Sequence, residues 1–222
     1  MKLAIYDFDG TLVNLQTLPA LYKRWKTMKI NERSRRPIWR KIMIRYVFHK
    51  LNLFGWNKRK FHPYTMEQTI DLFRSVDQDT LTQFLKVHCE HLLPHVTTTI
   101  RSQLEEDHNN GYHTVLLSGN YDMILEPFRV LGFDTIIGTP SRDAKGQLFS
   151  RQQVNIIIED GKAEAIKRLF SEANLAESRA YADSWYDLPL LELVGHPIVV
   201  DPDNPLREYA HQKGWDILET NK

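Results

Sequence analysis

The strongest constraint on this chain's fold is the alternation of short apolar runs with helical periods from His113 almost to its end. His113–Leu117, Phe133–Gly138, Arg179–Ala182 and Pro197–Val200 read as strands, with Trp215–Leu218 as a candidate last one. Between them, Tyr121–Leu131, Gly161–Ala173, Leu188–Val194 and Asn204–Lys213 read as helices. The clearest is Gly161–Ala173, which gathers Ala165, Ile166, Leu169 and Phe170 on one side. Parallel strands need crossover connections, so this alternation predicts a parallel sheet with helices on both faces. Ligands of such sheets bind beyond the carboxyl ends of the strands. Gln147–Ile158 reads as extended, part of a hairpin after a turn at Arg142–Gly146.

The stretch from Leu15 to Leu93 is different, with almost no strand signal and several helical periods. Leu18, Leu21, Tyr22 and Trp25 suit one helix, and Ile38, Trp39, Ile42 and Tyr46 another. Leu72, Phe73 and Val76, then Leu81, Phe84 and Leu85, fit later ones, with breaks expected near Pro37, Asn52–Gly55 and Pro63. The expected organisation is a core of residues 1–14 and 94–222 with an all-helical cap, 15–93, inserted after the first strand. A chain of 222 residues can bury such a core. No apolar run is long enough to span a bilayer, and the amino terminus enters strand-like sequence directly, so no signal peptide is expected. The single cysteine, Cys89, lies in the apolar-patterned stretch Leu81–Leu93 and is expected to be a packed thiol. A reduced, cytoplasmic setting is the expectation.

The first run, Lys2–Tyr6, ends in Asp7-Phe8-Asp9-Gly10-Thr11. Alternate residues of a strand share a face, so Asp7 and Asp9 converge if the backbone stays extended. Desolvated carboxylates repel, and Mg²⁺, which takes one or two carboxylates plus substrate phosphate, relieves that repulsion. A solvated strand-end turn satisfies the same five residues. Three more polar groups fall at the starts or ends of elements. Ser118-Gly119-Asn120 follows the strand at His113, where a hydroxyl and free N–H groups suit an anion or a plain N-cap. Lys162 opens a helix against its dipole, which is unfavourable unless an anion sits nearby or the side chain is solvated. Asp183 and Asp187 follow the strand at Arg179. Acid pair, hydroxyl, lysine and acid pair, in that order, form the inventory of phosphoryl transfer through an aspartyl-phosphate.

With those motifs the chain resembles the haloacid dehalogenase superfamily of phosphatases, in its phosphoserine-phosphatase-like branch, over residues 1–13 and about 95–222. The resemblance implies a Rossmann-like core, Mg²⁺ as cofactor and hydrolysis of a phosphate monoester. It implies Asp7 as nucleophile, Asp9 as acid/base, and Ser118 with the Gly119 amide as phosphoryl ligands. It implies that Lys162 braces both the phosphoryl group and Asp7. The metal would take Asp7, Asp183 and the Asp9 main-chain carbonyl, with Asp187 in support. Because dehalogenases of the superfamily lack the second carboxylate, Asp9 favours phosphoester hydrolysis or a phosphotransferase-type transfer.

Two departures bear on the substrate. Phosphoserine phosphatases resembling this core carry Glu where this chain has Gln16, and their fourth motif is rich in Gly and Asn where this one reads Ser184-Trp185-Tyr186. Gln16, Asn120 and Tyr186 are therefore candidate specificity positions for a small phosphorylated substrate other than phosphoserine.

The charge is uneven. Lys23–Lys60 holds fourteen Lys or Arg against one acid, Glu32, although the whole chain nets only +1. This stretch interleaves cations with Trp25, Trp39, Tyr46, Phe48, Phe54 and Trp56. It reads as a solvated helical face, as a rim attracting an anionic substrate, or as a surface for anionic membrane. The last would suit a lipid-phosphate phosphatase, or a binding protein on the same scaffold. No recognised motif accompanies the charge, so specific nucleic-acid binding is not expected. Nothing in the sequence specifies an oligomeric state.

Overall fold

The computed structural model describes residues 1–220, the side chain of Lys58 apart; Asn221, Lys222 and the Lys58 charge, all included in the expectations above, lie outside the described residues. Six strands form one parallel sheet in the order β3-β2-β1-β4-β5-β6. They are β1 (Leu3–Tyr6), β2 (His113–Tyr121), β3 (Thr135–Thr139), β4 (Arg179–Ala182), β5 (His196–Val200) and β6 (Asp216–Leu218). β1 is central, pairing Ile5 with Val115 of β2 on one side and with Ala180 of β4 on the other. The chain winds outward from β1 in one direction and then in the other, so the switch in strand order lies beside the end of β1. The expected doubly wound parallel sheet is present.

The chain divides into two compact units. The first comprises Met1–Thr17, Cys89–Thr139 and the chain from Ile157 on. It contains the sheet with α5 (Thr98–Asn109), α6 (Asp122–Leu125), α7 (Asp160–Leu169), α8 (Leu188–Leu191) and α9 (Asn204–Lys213). Its core joins Leu3, Ile5, Val115 and Leu117 of the sheet to Ile166 of α7, Leu190 of α8 and Leu206 of α9. Cys89 is buried here with Sγ 3.6 Å from the Ile124 carbonyl, and burial pushes its thiol up to about 12. It is a packed thiol.

The second unit, Leu18–His88 with Pro140–Ile156, is built on α1 (Thr17–Thr27), α2 (Glu32–Lys50), α3 (Lys58–Phe73) and α4 (Gln78–Leu92). Its boundaries lie a few residues inside 15–93, and Pro140–Ile156 groups with these helices where the sequence assigned it to the core. Polar bonds hold that segment there: Arg151 Nε donates to Asp71 at 2.9 Å, Arg142 Nη2 to Gln78 at 2.7 Å, and Arg74 Nη1 to the Leu148 carbonyl at 3.1 Å. The segment forms no strand; the expected hairpin reduces to a single bridge between Arg142 and Leu148.

Several expected boundaries shift for local reasons. Pro37 and Pro63 do not break helices; each is the sixth residue of α2 or α3, and the helix continues through it. The break at Asn52–Gly55 does occur, with Asn52 and Phe54 in the left-handed region. The helix expected over Tyr121–Leu131 is only α6 followed by a 3₁₀ stretch, because Pro127 removes a donor. Leu188–Val194 likewise shortens to α8.

A buried polar cluster joins the central strands. Tyr6 and Tyr181, neighbours across β1 and β4, stack with centroids 4.3 Å apart. Both hydroxyls donate to Asp107 Oδ2 of α5, at 2.5 and 2.8 Å, and Arg179 closes the set on Oδ1. Asp107 is fully buried. Asp107→Ala leaves two hydroxyls and a guanidinium without their acceptor, an expected loss of about 3–5 kcal/mol in urea unfolding. A loss below about 1 kcal/mol would mean that this cluster does not tie α5 to the central strands.

Candidate active site

Asp7 is the first residue past β1, and its N–H continues the ladder to the Tyr181 carbonyl at 2.9 Å. The backbone then turns back on itself. Leu12 N–H donates to the Asp7 carbonyl and Val13 N–H to the Phe8 carbonyl, while Gly10 N–H donates to the Val13 carbonyl. Phe8 is fully buried and meets Phe128 edge-on, which anchors the turn. Gly10 has φ +83°, and a Cβ there would overlap the Asp183 carboxylate. Glycine is thus required twice, by the backbone angle and by the closeness of Asp183.

The chain does not stay extended past β1, and the two aspartates take different partners. Asp7 Oδ1 accepts from Lys162 Nζ at 2.6 Å. Asp9 Oδ1 accepts from Thr17 N–H at 2.9 Å and from the Thr17 hydroxyl, and its Oδ2 accepts from Asn120 Nδ2 at 3.1 Å. Burial raises the carboxyl pKa of both, against the lowering pull of Lys162 on Asp7 and of the Thr17 and Asn120 bonds on Asp9.

Lys162 sits in the first turn of α7, buried at 6% exposure, and also donates to Asp187 Oδ1 at 2.5 Å. Its solvated alternative is excluded. Burial works against its charge, but Asp187 and Asp7 outweigh burial and raise its pKa. Ser184 Oγ accepts from Tyr186 N–H and starts the turn that carries Asp187 back toward Lys162. Asp7, Asp183 and Asp187 each bring one carboxylate oxygen to within 4.8 Å of the others. One ammonium cannot neutralise three ionised carboxylates, so the donor set fits a hard dication.

Ser118, Gly119 and Asn120 lie inside β2, where the register with β3 shifts between Leu117 and Tyr121. They do not form a helix cap, and the four-residue α6 begins only at Asp122. The irregularity folds the strand onto itself, so Ser118 Oγ accepts from Asn120 N–H at 3.2 Å. Thr139 Oγ1 donates to the Gly119 carbonyl at 2.7 Å. Asn120 is buried, and its Oδ1 has no partner.

The structure therefore gathers Asp7, Lys162, Asp183 and Asp187 in one cluster, and links Asp9 through Asn120 to Ser118. Gln16 is exposed and Tyr186 half-buried. Sequence reasoning missed Thr17, which is fully buried and gives Asp9 two donors. Its only sequence signal is a Thr at the start of a helical period.

The profile of the haloacid dehalogenase-like hydrolases matches residues 4–192. The chain is 25% identical to a histidinol-phosphatase of Neisseria meningitidis serogroup C, over 98% of each chain. Other curated relatives, from mycobacteria and Streptomyces azureus, align over 45% to 54% of this chain, which spans 33% to 45% of their length. Among solved structures, a Bordetella pertussis Tohama I protein of unknown function superposes with TM-score 0.79 at 21% identity, over 98% of this chain and 97% of that one. A substrate-bound phosphoserine phosphatase superposes with TM-score 0.64 at 19% identity, over 98% and 92%. The chain belongs to the haloacid dehalogenase-like hydrolase family and is a phosphatase of that family.

The Thr17 bonds carry a prediction. Thr17→Val removes the hydroxyl donor to Asp9 while keeping shape, and turnover should fall by up to about 100-fold with little change in melting temperature. Turnover within about twofold of the parent would show that Asp9 does not depend on that hydroxyl.

Proposed function

We propose that this phosphatase hydrolyses a small phosphate monoester through an aspartyl-phosphate on Asp7, with Mg²⁺ as cofactor. The observation that carries the reading is the Asp7–Lys162–Asp187 triplet, buried beside Asp183 at the carboxyl end of the central strand. A carboxylate that accepts from a buried lysine ammonium, at the switch in strand order, is placed where ligands of such sheets bind.

In this reading an Asp7 oxygen attacks phosphorus and the bond from phosphorus to the ester oxygen breaks. Asp9, whose raised pKa favours the protonated carboxyl, gives its proton to the departing oxygen. The Asp9 carboxylate so formed takes a proton from water, whose oxygen attacks the phosphoryl group. Inorganic phosphate leaves, and Asp7 and protonated Asp9 are regenerated. Thr17 and Asn120 orient Asp9 throughout. Ser118 and the Gly119 amide serve the phosphoryl oxygens, and Lys162 offsets their charge. Asp7, Asp183 and the Asp9 main-chain carbonyl would hold the cation, with Asp187 in support. When bound, it supplies further neutralisation of phosphoryl charge.

Gln16 offers no charge to a substrate ammonium group, which argues against phosphoserine. The buried, unpartnered Asn120 Oδ1 suits a hydrogen-bond donor on the substrate. The full-length relationship to a protein named histidinol-phosphatase makes histidinol phosphate the first compound to compare. A cytoplasmic setting suits the lone packed thiol.

Purified protein should release phosphate from an aryl phosphate with Mg²⁺ and lose that activity in EDTA. Asp7→Asn should fall to background, and single turnover in heavy-oxygen water should put the heavy oxygen in the released phosphate and leave Asp7 unlabelled. Full activity in Asp7→Asn would overturn the nucleophile. A screen of phosphoserine, histidinol phosphate and lysolipid phosphates should rank phosphoserine low; phosphoserine as the preferred ester would refute the reading of Gln16.

A further inference from the structure

Among the described residues, seven of the eleven exposed large apolar side chains fall between Met43 and Phe54. Met43, Ile44, Val47 and Leu51 recur at helical spacing, so they share one face of the carboxyl-terminal half of α2 and its end. Phe54 follows in the turn, 79% exposed and with φ +52°. This is the reverse of ordinary amphipathicity, in which the apolar stripe faces the core.

The rotation of α2 leaves these side chains no alternative. Its other face is occupied by aromatic packing inside the same unit. Tyr46 and His49 meet Phe61 at 5.8 and 5.4 Å, and Arg45 lies over Trp56 at 4.8 Å. Trp25, one of the aromatics the sequence offered for an interface, is fully buried against Phe84. The exposed stripe is therefore mostly aliphatic.

Its surroundings are cationic. Arg33, Arg40, Lys41 and Lys50 of α2 are exposed, and the sequence holds no acid from Arg33 to Met66. Two occupants fit poorly. A second copy of this chain, paired through the same face, would set these cations against one another. A protein partner binding a helix commonly offers a groove, whereas this surface is one helix followed by a projecting turn. A bilayer of anionic lipid satisfies both properties, since apolar side chains enter the interface while Lys and Arg meet headgroups.

The geometry points to the outward face of α2 and the Phe54 turn as a docking surface for anionic membrane, independent of the chemistry at Asp7. The test is co-sedimentation of the full chain with vesicles of phosphatidylcholine, with and without about 30% phosphatidylglycerol. Binding should require the anionic lipid, weaken with salt and persist in Asp7→Asn. Ile44→Ser with Val47→Ser, which keeps every charge, should lower partitioning by at least about tenfold with an unchanged circular dichroism spectrum. Removing Arg33, Arg40 and Lys41 as glutamines should lower it by about fivefold for each cation. Absence of binding to anionic vesicles, or equal binding by the serine variant, overturns the proposal. So does sedimentation equilibrium showing a dimer that Ile44→Ser with Val47→Ser dissociates, which would assign the face to a second copy.

Discussion

Lys162 is the residue on which the geometry of this site depends. An ammonium group buried to this degree is stable only if its charge is met, and here Asp7 and Asp187 meet it at 2.6 and 2.5 Å. That requirement fixes three elements against one another: the end of β1, the first turn of α7 and the turn after β4. The arrangement also leaves negative charge in excess. Asp183 adds a third carboxylate, and one oxygen from each of Asp7, Asp183 and Asp187 lies within 4.8 Å of the others, a donor set that fits a further cation.

The central strands that deliver these groups are themselves pinned. Tyr6 directly precedes Asp7, and Tyr181 stands two residues before Asp183. Their stacked rings and shared acceptor, Asp107, hold the ends of β1 and β4 in register from the α5 side. A carboxylate placed by a parallel ladder and a buried hydrogen-bond network loses little freedom when a ligand arrives, which is the physical content of a preorganised site. Asp9 is set by different means. It lies past the strand in a reversing turn, and the bonds from Thr17 and Asn120, not the ladder, orient it.

The helical unit obeys another constraint. Pro37 and Pro63 lie early in their helices, and both helices continue through them. Aromatic packing between α2 and α3 then decides which side of α2 is turned inward. Once that is set, Met43, Ile44, Val47 and Leu51 are left exposed, beside the exposed Arg40 and Lys41. Among the described residues no helix is long and apolar enough to cross a membrane.

Much of this was legible in the sequence. Arg179–Ala182 and Asn204–Lys213 are read with the bounds the structure gives, because a short, largely apolar run and a helical period are local signals. The residue types at the strand ends were equally plain, and so was their order. Thr17 was not, since a threonine at a helix start looks the same whether it caps or serves a distant carboxylate. Nor was the placement of Pro140–Ile156 with the helical unit, which rests on Arg151, Arg142 and Arg74 finding partners far along the chain. By itself, then, the sequence determined the sheet class and the carboxylates, hydroxyl and lysine available to the site. Tertiary structure alone decided that Asn120 meets Asp9 across 111 positions, and it supplies the geometry of the Lys162–Asp7 pair, across 155, that only the family resemblance had implied. Side-chain bonds reach only a few ångströms, so which groups meet depends on how the strands are ordered in the sheet, and no local pattern records that.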